Sequence, residues 1–393
     1  MNTSESIFDV AIIGAGPAGS SLAYFLAQAG FKIVLIDKDN FPRKKVCAGG
    51  IPVKVAGILP FDISSIIEKD IFDVTLTHKI SNSYMRSCRK PLLYMVNRER
   101  FDNFLIQKAI NVGVVFSEGK KVNEFSLEGN TWTIRINNKI IKASVLVGAD
   151  GANGFAAKKL NLKPSNHFHI GIQYEVPINL LRNAKHLEKG IVLDWGKFKD
   201  SYAWIFPKND NASVGVQGPV KIAKQLKEYL DDFLLYYGMS TENLILMGHL
   251  IPHRTQESAI SAKRALLIGD AAGLADFWTG EGIFYAIKSS GIAARYIHAF
   301  LNGELSSFDE YEIAINREIT PEIRTSCQFS KIFNYLSEAA FKVIKKYDYP
   351  WDIFCRIMRG DRTFSDMRKR FRPDIFLCKL FLKSYRSHLG KGQ

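Results

Sequence analysis

The run Ile7-Phe8-Asp9-Val10-Ala11-Ile12-Ile13-Gly14-Ala15-Gly16-Pro17-Ala18-Gly19 joins an apolar segment to a glycine-rich turn. Residues 7–13 suit a strand buried on both faces, as in a parallel sheet. The turn fits G-x-G-x-x-G. Gly14 permits the tight turn, Gly16 lets the backbone approach a pyrophosphate, and Gly19 lets a helix pack closely on the strand. Pro17 and Ala18 begin that helix, whose free N–H groups and positive dipole end would face a diphosphate. The helical pattern continues to about Gln28, Gly30 closes it, and residues 32–36 form a second apolar strand ending on Asp37. The whole is a βαβ unit of about thirty residues. Asp37 lies about 20 residues past the turn, where an acidic side chain takes ribose hydroxyls. The uncharged stretch from Val10 to Phe31 invites a membrane reading. Its Gly, Pro and Ser residues, with Glu5 and Asp9 ahead of it, fit a strand, a turn and a helix instead.

Two more apolar strands end in acidic turns: residues 145–151 (VLVGADG) on Asp150 and residues 266–273 (LLIGDAAG) on Gly269-Asp270. Each puts a carboxylate at a strand end, where open α/β sheets bind ligands. A capping Asp would explain either one alone. Residues 38–60 read as a functional loop region and 72–96 as β-like. A helix is predicted over 98–112, with Phe101, Leu105 and Ala109 on one face. Residues 113–149 read as short strands with turns at 128–130 and at Asn137-Asn138. Residues 165–217 and 244–254 read mostly as strands, interrupted by a helix near 220–237. Another helix runs from about Gly280 to Leu301, and the chain is mostly helical from Phe308. The Rossmann-like segments alternate with β-rich ones, which implies interleaved domains.

The chain has 393 residues, 47% hydrophobic and 23% charged. That excludes disordered, collagen-like and low-complexity classes. The net charge of +14 is uneven: residues 340–393 hold fourteen Lys/Arg against five Asp/Glu. The five cysteines (Cys47, Cys88, Cys327, Cys355, Cys378) are odd in number and show no CxxC pair. Neither a zinc site nor a disulfide framework is expected, and a reducing compartment fits best. No metal site is predicted.

The ordered trio of GAGPAG, GADG and GDAAG resembles the FAD-dependent oxidoreductases that share the para-hydroxybenzoate hydroxylase fold. The resemblance implies that Gly14, Gly16, Pro17, Ala18, Gly19, Asp37 and Lys38 hold the ADP part of FAD. It implies that Gly269 and Asp270 meet its diphosphate and ribityl, with Asp150 at the same site. Arg98 opens the pattern R-x-x-F-D-x-x-L, whose arginine reaches the FAD in that superfamily. Taken alone, Arg98 reads as a solvated helix start.

A finer resemblance is to the geranylgeranyl reductase group. Phe41-Pro42-Arg43 through Val46-Cys47-Ala48-Gly49-Gly50-Ile51 is similar to its P-R-x-K-x-C-G-G-G loop. Tyr202-Ala203-Trp204-Ile205-Phe206-Pro207-Lys208 is similar to its Y-x-W-x-F-P-K segment. Thr279-Gly280-Glu281-Gly282-Ile283 matches its T-G-E-G-I, ahead of the helix under the isoalloxazine. Ser290-Gly291 with Ala293-Ala294 matches that helix's small-residue face. The likeness spans residues 5–300 and fades beyond. It implies further cofactor contacts from Arg43, Cys47, Ala48, Gly49, Gly280, Gly282 and Ile283. It implies catalytic places for Cys47, Gly280 and Glu281, and pocket walls from Tyr202, Trp204, Phe206 and Trp278. Three departures surround that pocket: Ala48 stands where the group has Gly, Phe277-Trp278 replaces Pro-Leu, and the Pro ahead of the Tyr-x-Trp segment is absent.

The implied fold is α/β: a Rossmann-like FAD-binding domain of the para-hydroxybenzoate hydroxylase type (1–70, 97–162, 255–305), an interleaved antiparallel β-sheet substrate domain (71–96, 163–254), and a helical, basic C-terminal region (306–393). The implied reaction is reduction of C=C bonds in a geranylgeranyl-type chain on a lipid or pigment precursor. Such chemistry needs reduced flavin, a dry apolar pocket and a source of the second hydrogen. Cys47 could donate that proton or shape the cavity, or be a small buried hydrophobe. The electron donor is expected to be NAD(P)H or a ferredoxin-like acidic carrier, the latter suited to the basic tail. Residues 367–387 interleave Lys/Arg with Phe, Leu and Ile. They suit peripheral contact with an anionic membrane, or a C-terminal helix packed on the body. A cytoplasmic location follows, peripheral to the membrane on the first reading. No nucleic-acid motif is present. Two rival readings remain: a flavin monooxygenase or halogenase, although Tyr202–Pro207 departs from the halogenases' Trp-x-Trp-x-Ile-Pro, and a non-catalytic flavin- or lipid-binding protein.

Overall fold

The computed structural model describes residues 7–136, 139–165, 167–181 and 187–370. The opening run forms β1 (Ile7–Ile13), α1 (Pro17–Gln28) and β2 (Ile33–Ile36), the βαβ unit expected from the turn. Pro17 stands in the first turn of α1, where its missing N–H costs nothing. Four short strands and a fifth follow: β3 (Gly50–Pro52), β4 (Ile67–Ile71), β5 (Asp73–His78), β6 (Tyr84–Ser87) and β7 (Leu93–Val96). The helix α2 (Arg98–Ile110) starts where the Asn97 side chain accepts from the N–H groups of Glu99 and Arg100, a cap that fixes the boundary. Next come β8 (Val115–Ser117), β9 (Val122–Glu128), β10 (Thr131–Ile136), β11 (Lys139–Gly148) and α3 (Phe155–Lys159). The middle of the chain supplies β12 (His167–Pro177), β13 (Gly190–Trp195), β14 (Tyr202–Pro207), β15 (Asn211–Pro219), α4 (Ala223–Tyr236) and β16 (Met247–His253). The last stretch gives β17 (Ser261–Ala262), β18 (Ala265–Leu267), α5 (Ile283–Leu301), α6 (Asp309–Glu318), α7 (Thr320–Tyr335), α8 (Ser337–Lys346), α9 (Asp348–Arg359) and α10 (Phe364–Arg370).

Three sheets organise these elements. The first has the path β17-β18-β11-β1-β2-β8, with β10 and β9 extending from β11. Its β18, β11, β1, β2 and β8 are parallel, so both faces are covered and the strands are apolar throughout. Leu22 and Leu26 of α1 and Ile292 and Ile297 of α5 pack on one face. Phe125, Trp132 and Ile134 of β9 and β10 close the other. The second sheet runs β16-β12-β15-β14-β13-β5-β6 and is antiparallel except for the β13–β5 pair. Leu226, Tyr229, Leu230 and Phe233 of α4 cover one face. On the other, Leu76, Leu193, Trp204 and Phe206 meet Phe341 of α8 and Trp351 of α9. A small third sheet has the order β3-β7-β4, and β5 and β6 of the second sheet fall in sequence between its strands β4 and β7. The chain therefore leaves the first sheet after β2, visits the others, and returns to the first sheet twice.

One expectation from the cysteines is corrected. Cys88, just after β6, is joined by a disulfide to Cys355 of α9. The partners are 267 positions apart, a pairing made only by the docking of α9 on β6 and invisible in residue spacing. The same junction carries a hydrogen bond from Trp351 Nε1 to the Ser87 carbonyl (3.0 Å) and an Arg86–Asp348 ion pair (2.7 Å). Cys47 and Cys327 are free thiols. Cys378, the Asn137-Asn138 turn and nearly all of the basic segment 367–387 lie outside the described residues. Among those described, no helix is long and apolar enough to cross a membrane.

Candidate active site

One cavity of about 1240 Å³ runs from the glycine turn of the first sheet to the helices that cover the second. At its polar end stand Gly14, Gly16, Pro17 and Ala18 from the β1–α1 turn, and Asp37 and Lys38 from the end of β2. Gly14 has φ +104°, and a Cβ there would lie 2.4 Å from the Ala149 carbonyl oxygen. Only glycine allows this turn. Asp37 is buried, and its Oδ2 accepts from the Ala15 N–H at 2.7 Å while Oδ1 accepts from the Asp39 N–H at 2.9 Å. Its carboxylate thus locks the turn while facing the cavity. Asp150 also lines the cavity, and its Oδ2 accepts from the Ala156 N–H at the start of α3 (2.9 Å). Burial raises the Asp150 pKa.

The polar end gathers cations. Arg98 is buried, and its Nε and Nη2 donate to the two oxygens of Asp102, both at 2.9 Å. It is therefore no solvated helix start. Burial works against its charge, but Asp102 and Cys47 beside it hold it protonated. Arg43 lies 3.5 Å from the same Asp102, and its buried Nε makes no hydrogen bond. Lys45 Nζ is 3.2 Å from His249 Nε2, which in turn is 3.7 Å from Asp270 Oδ2. Burial, and then the neighbouring Arg98, push the Lys45 pKa down to about 8. Asp270 shows the reverse. Burial would raise its pKa, but His249, Lys45 and Arg98 outweigh that and lower it. Cations gathered beside a glycine turn in this way suit a diphosphate. The residues present thus fit FAD: Gly14 and Gly16 give the close backbone approach, and Arg43, Lys45 and Arg98 supply the compensating charge.

Past the cations the wall changes character. Cys47 and Ala48 line it, and Tyr202 and Trp204 of β14 face it together with Phe206. Tyr202 donates from its hydroxyl to the Thr279 carbonyl at 2.6 Å, and burial raises its pKa. Trp204 Nε1 donates to Ser213 Oγ at 3.1 Å. The indole N–H and the phenol O–H are both spoken for, and the two rings act as walls. The loop of Trp278, Gly280, Glu281, Gly282 and Ile283 closes this part, and the N-terminal end of α5 opens on it. Gly280 has φ +70°, and a Cβ there would fall 2.1 Å from Gln217 Oε1. Glu281 Oε1 accepts from the Phe284 N–H (3.1 Å), and Oε2 lies 3.8 Å from Lys54 Nζ. Burial lifts the Glu281 pKa to about 7, although Lys54 pulls the other way. Gly19, Gly49 and Gly269 do not face the cavity. Gly19 packs α1 on the turn, Gly49 meets Val96, and Gly269 meets Ala18.

The far lobe is apolar. Val74, Leu76, Ile191 and Leu193 form its floor. Phe333 (α7), Leu336 between α7 and α8, Ala340 and Val343 (α8), Ile353 and Phe354 (α9) and Met367 (α10) form its roof. Sequence reasoning missed this roof. Residues 337–346 and 348–359 do carry apolar side chains on one helical face, but that pattern says only that the face is covered, not by what. Also missed were Lys45 and His249 and, at the cavity wall, Gln173 and Gln217. Lys45 and Lys208 lay inside quoted motifs without a role.

An FAD binding domain family model matches residues 8–213. An uncharacterized protein of Methanosarcina barkeri is 32% identical over 98% of this chain and 98% of its own. A geranylgeranyl diphosphate reductase of Rhodobacter capsulatus is 29% identical, over 75% of this chain and 76% of its own. Among solved structures, a geranylgeranyl bacteriochlorophyll reductase-like protein of Thermoplasma acidophilum superposes with TM-score 0.71 at 21% identity, covering 84% of this chain and 88% of that one. A flavin-dependent brominase gives 0.72 at 18% identity, with 97% and 100% covered. The structural likenesses establish the fold and leave the reaction open.

Proposed function

We propose that this chain, which belongs to the FAD-binding-domain family and is a FAD-dependent oxidoreductase related to the geranylgeranyl reductases, saturates C=C bonds in an isoprenoid chain carried by a lipid or pigment precursor. The observation that carries the reading is the continuity of the cavity, from a cationic glycine turn, past Cys47 and Glu281, into a lobe walled by aliphatic and aromatic side chains. At about 1240 Å³ it exceeds the ~300–1,000 Å³ of a site for one small molecule. It can take a dinucleotide and a hydrocarbon together.

When bound, reduced FAD supplies a hydride. The chain's own residues do the rest. Gly14, Gly16, Arg43 and Arg98 hold the diphosphate end. Tyr202, Trp204, Phe206 and Trp278 wall the reacting region and keep water out, and the α7–α10 roof takes the apolar chain. Saturating one alkene consumes one hydride at one carbon and one proton at the other. Glu281 is the residue best placed to give that proton. It faces the cavity, burial lifts its pKa to about 7 so that the acid form is still well populated near neutrality, and once ionised its carboxylate is met by Lys54 and the Phe284 N–H. Cys47, beside Arg98 on the same wall, shapes the approach. The electrons come from NAD(P)H or from an acidic ferredoxin-like carrier, which the basic C-terminal stretch would attract. The same stretch would hold the enzyme at an anionic membrane where its substrates reside.

An anaerobic reoxidation experiment tests this. Enzyme reduced with dithionite is mixed with geranylgeranyl diphosphate or a geranylgeranylated lipid, and the flavin spectrum is followed. Return of the oxidised spectrum without oxygen supports the reductase. A flavin that stays reduced until oxygen is admitted, with an oxygenated or halogenated product, favours the rival chemistry on this scaffold.

A further inference from the structure

The loop carrying Cys47 lies on the second sheet, and three polar side chains of that sheet reach it in sequence. Gln173 on β12 donates from Nε2 to the Cys47 carbonyl at 3.3 Å and to Glu175 Oε1 at 2.8 Å. Glu175 Oε2 accepts from Lys208 Nζ at 2.9 Å. Gln173 is 3% exposed and Lys208 6%. A Cβ on Gly49 would meet Lys208 Cε at 3.0 Å, and one on Gly50 would meet the Phe206 ring at 2.7 Å. Residues 47–50 are thus seated directly on side chains of β12 and β14.

The order of these groups has a consequence. An amide side chain can present either its N–H₂ or its oxygen. The Glu175 carboxylate accepts only, so it forces Gln173 to turn its N–H₂ inward, and the same N–H₂ then meets the Cys47 carbonyl. A flipped amide would set oxygen against two acceptors. Lys208 in turn pins Glu175 by a charge-assisted bond. A buried cation is costly unless paired, so Lys208 and Glu175 stabilise one arrangement together.

We propose that Lys208, Glu175 and Gln173 are positioning residues, a charge-anchored chain through which the substrate-side sheet fixes the Cys47 loop at the cavity wall. The chain itself is independent of the reaction. Only its consequence for turnover rests on the reading above.

The test is alkylation of the purified full-length protein with iodoacetamide, followed by peptide mass mapping. Cys327, buried at 7% exposure, serves as the reference for global unfolding. Gln173→Met should raise the Cys47 rate by up to about tenfold, the upper scale of one lost hydrogen bond to a backbone carbonyl, while Cys327 stays at the wild-type rate. Lys208→Met should do the same, and Lys208→Arg, which keeps the cation, should restore a rate within about twofold of wild type. With a prenyl substrate, kcat should fall while KM holds. If Lys208→Met does not fold, Gln173→Met carries the test alone. A folded Gln173→Met protein whose Cys47 reacts at the wild-type rate overturns the proposal. Faster alkylation in a protein whose wild type reduces no prenyl substrate leaves this chain of residues standing and removes the reductase reading. Unchanged alkylation with normal prenyl reduction does the opposite.

Discussion

Gly14 stands at the polar end of the cavity and Glu281 beside its reacting region, and each makes its contribution through a feature of one residue. At Gly14 the feature is the absence of a side chain, with φ at +104° and Ala149 oxygen 2.4 Å from any Cβ. Gly14→Val should yield protein without stoichiometric flavin, read from the visible absorbance after purification, and Gly16→Val, where a Cβ meets nothing nearer than the Arg43 guanidinium at 3.8 Å, should do so with the fold kept. A full flavin complement in either variant would remove the turn from the cofactor site. At Glu281 the feature is burial, which lifts the pKa to about 7. A proton donor works in its protonated form, so turnover should fall as pH rises through about 7. Glu281→Gln should lose that limb of the pH profile and about 10²–10⁴-fold in kcat. An intact alkaline limb in the variant would assign the proton to another group. The two residues also differ in how far the sequence exposes them. Gly14 is legible because a local turn dictates it. Glu281 sits in a legible motif, but its altered acidity comes from walls contributed by distant segments. Asp150 shows the converse: its strand-end position is readable, and its hydrogen bond to the Ala156 N–H is the capping role that the residue alone suggests.

At the scale of elements, α5 and the α8–α9 pair set the shape of the cavity. Ser290 Oγ of α5 donates to the Ala18 carbonyl of α1 at 2.7 Å, which locks the two helices side by side over the first sheet. Ser290 belongs to the small-residue face that the resemblance singled out. The α8–α9 pair roofs the apolar lobe. Ala340→Trp on α8 should fill part of that lobe. Flavin content should stay at the wild-type level while kcat/KM for a prenyl substrate drops about tenfold or more, the scale of a changed apolar pocket. Equal activity with the indole in place would move the hydrocarbon to another wall. The two helices were readable as amphipathic, yet nothing local says that their apolar faces look at a cavity. A helix face covered by protein and one left open to a ligand have the same pattern of side chains.

For the whole molecule, the cavity is a junction between two sheets and a helical cover, and the cofactor would touch both sheets through the Cys47 loop and the β1–α1 turn. Removal of flavin should therefore lower the melting temperature of the entire chain in one transition, since a ligand at a hundred times its Kd adds about 2.7 kcal/mol to the native state. Two separate transitions, with only one sensitive to FAD, would contradict a shared site. The alternation of β-rich and Rossmann-like segments was visible along the chain because each has its own hydrophobic period. The parallel β13–β5 pair and the Cys88–Cys355 bond were not, because both join stretches more than a hundred residues apart whose partners no local pattern names. Whether the cavity reduces a prenyl chain shows in what happens to the hydrocarbon. The most direct measurement is the mass spectrum of a geranylgeranylated lipid after anaerobic incubation with the dithionite-reduced enzyme, against a control with the reductant and no enzyme. The reductase reading predicts enzyme-dependent mass gains in steps of about two hydrogens, one hydride and one proton per saturated bond. An unchanged lipid mass, with the flavin still reduced, would contradict it.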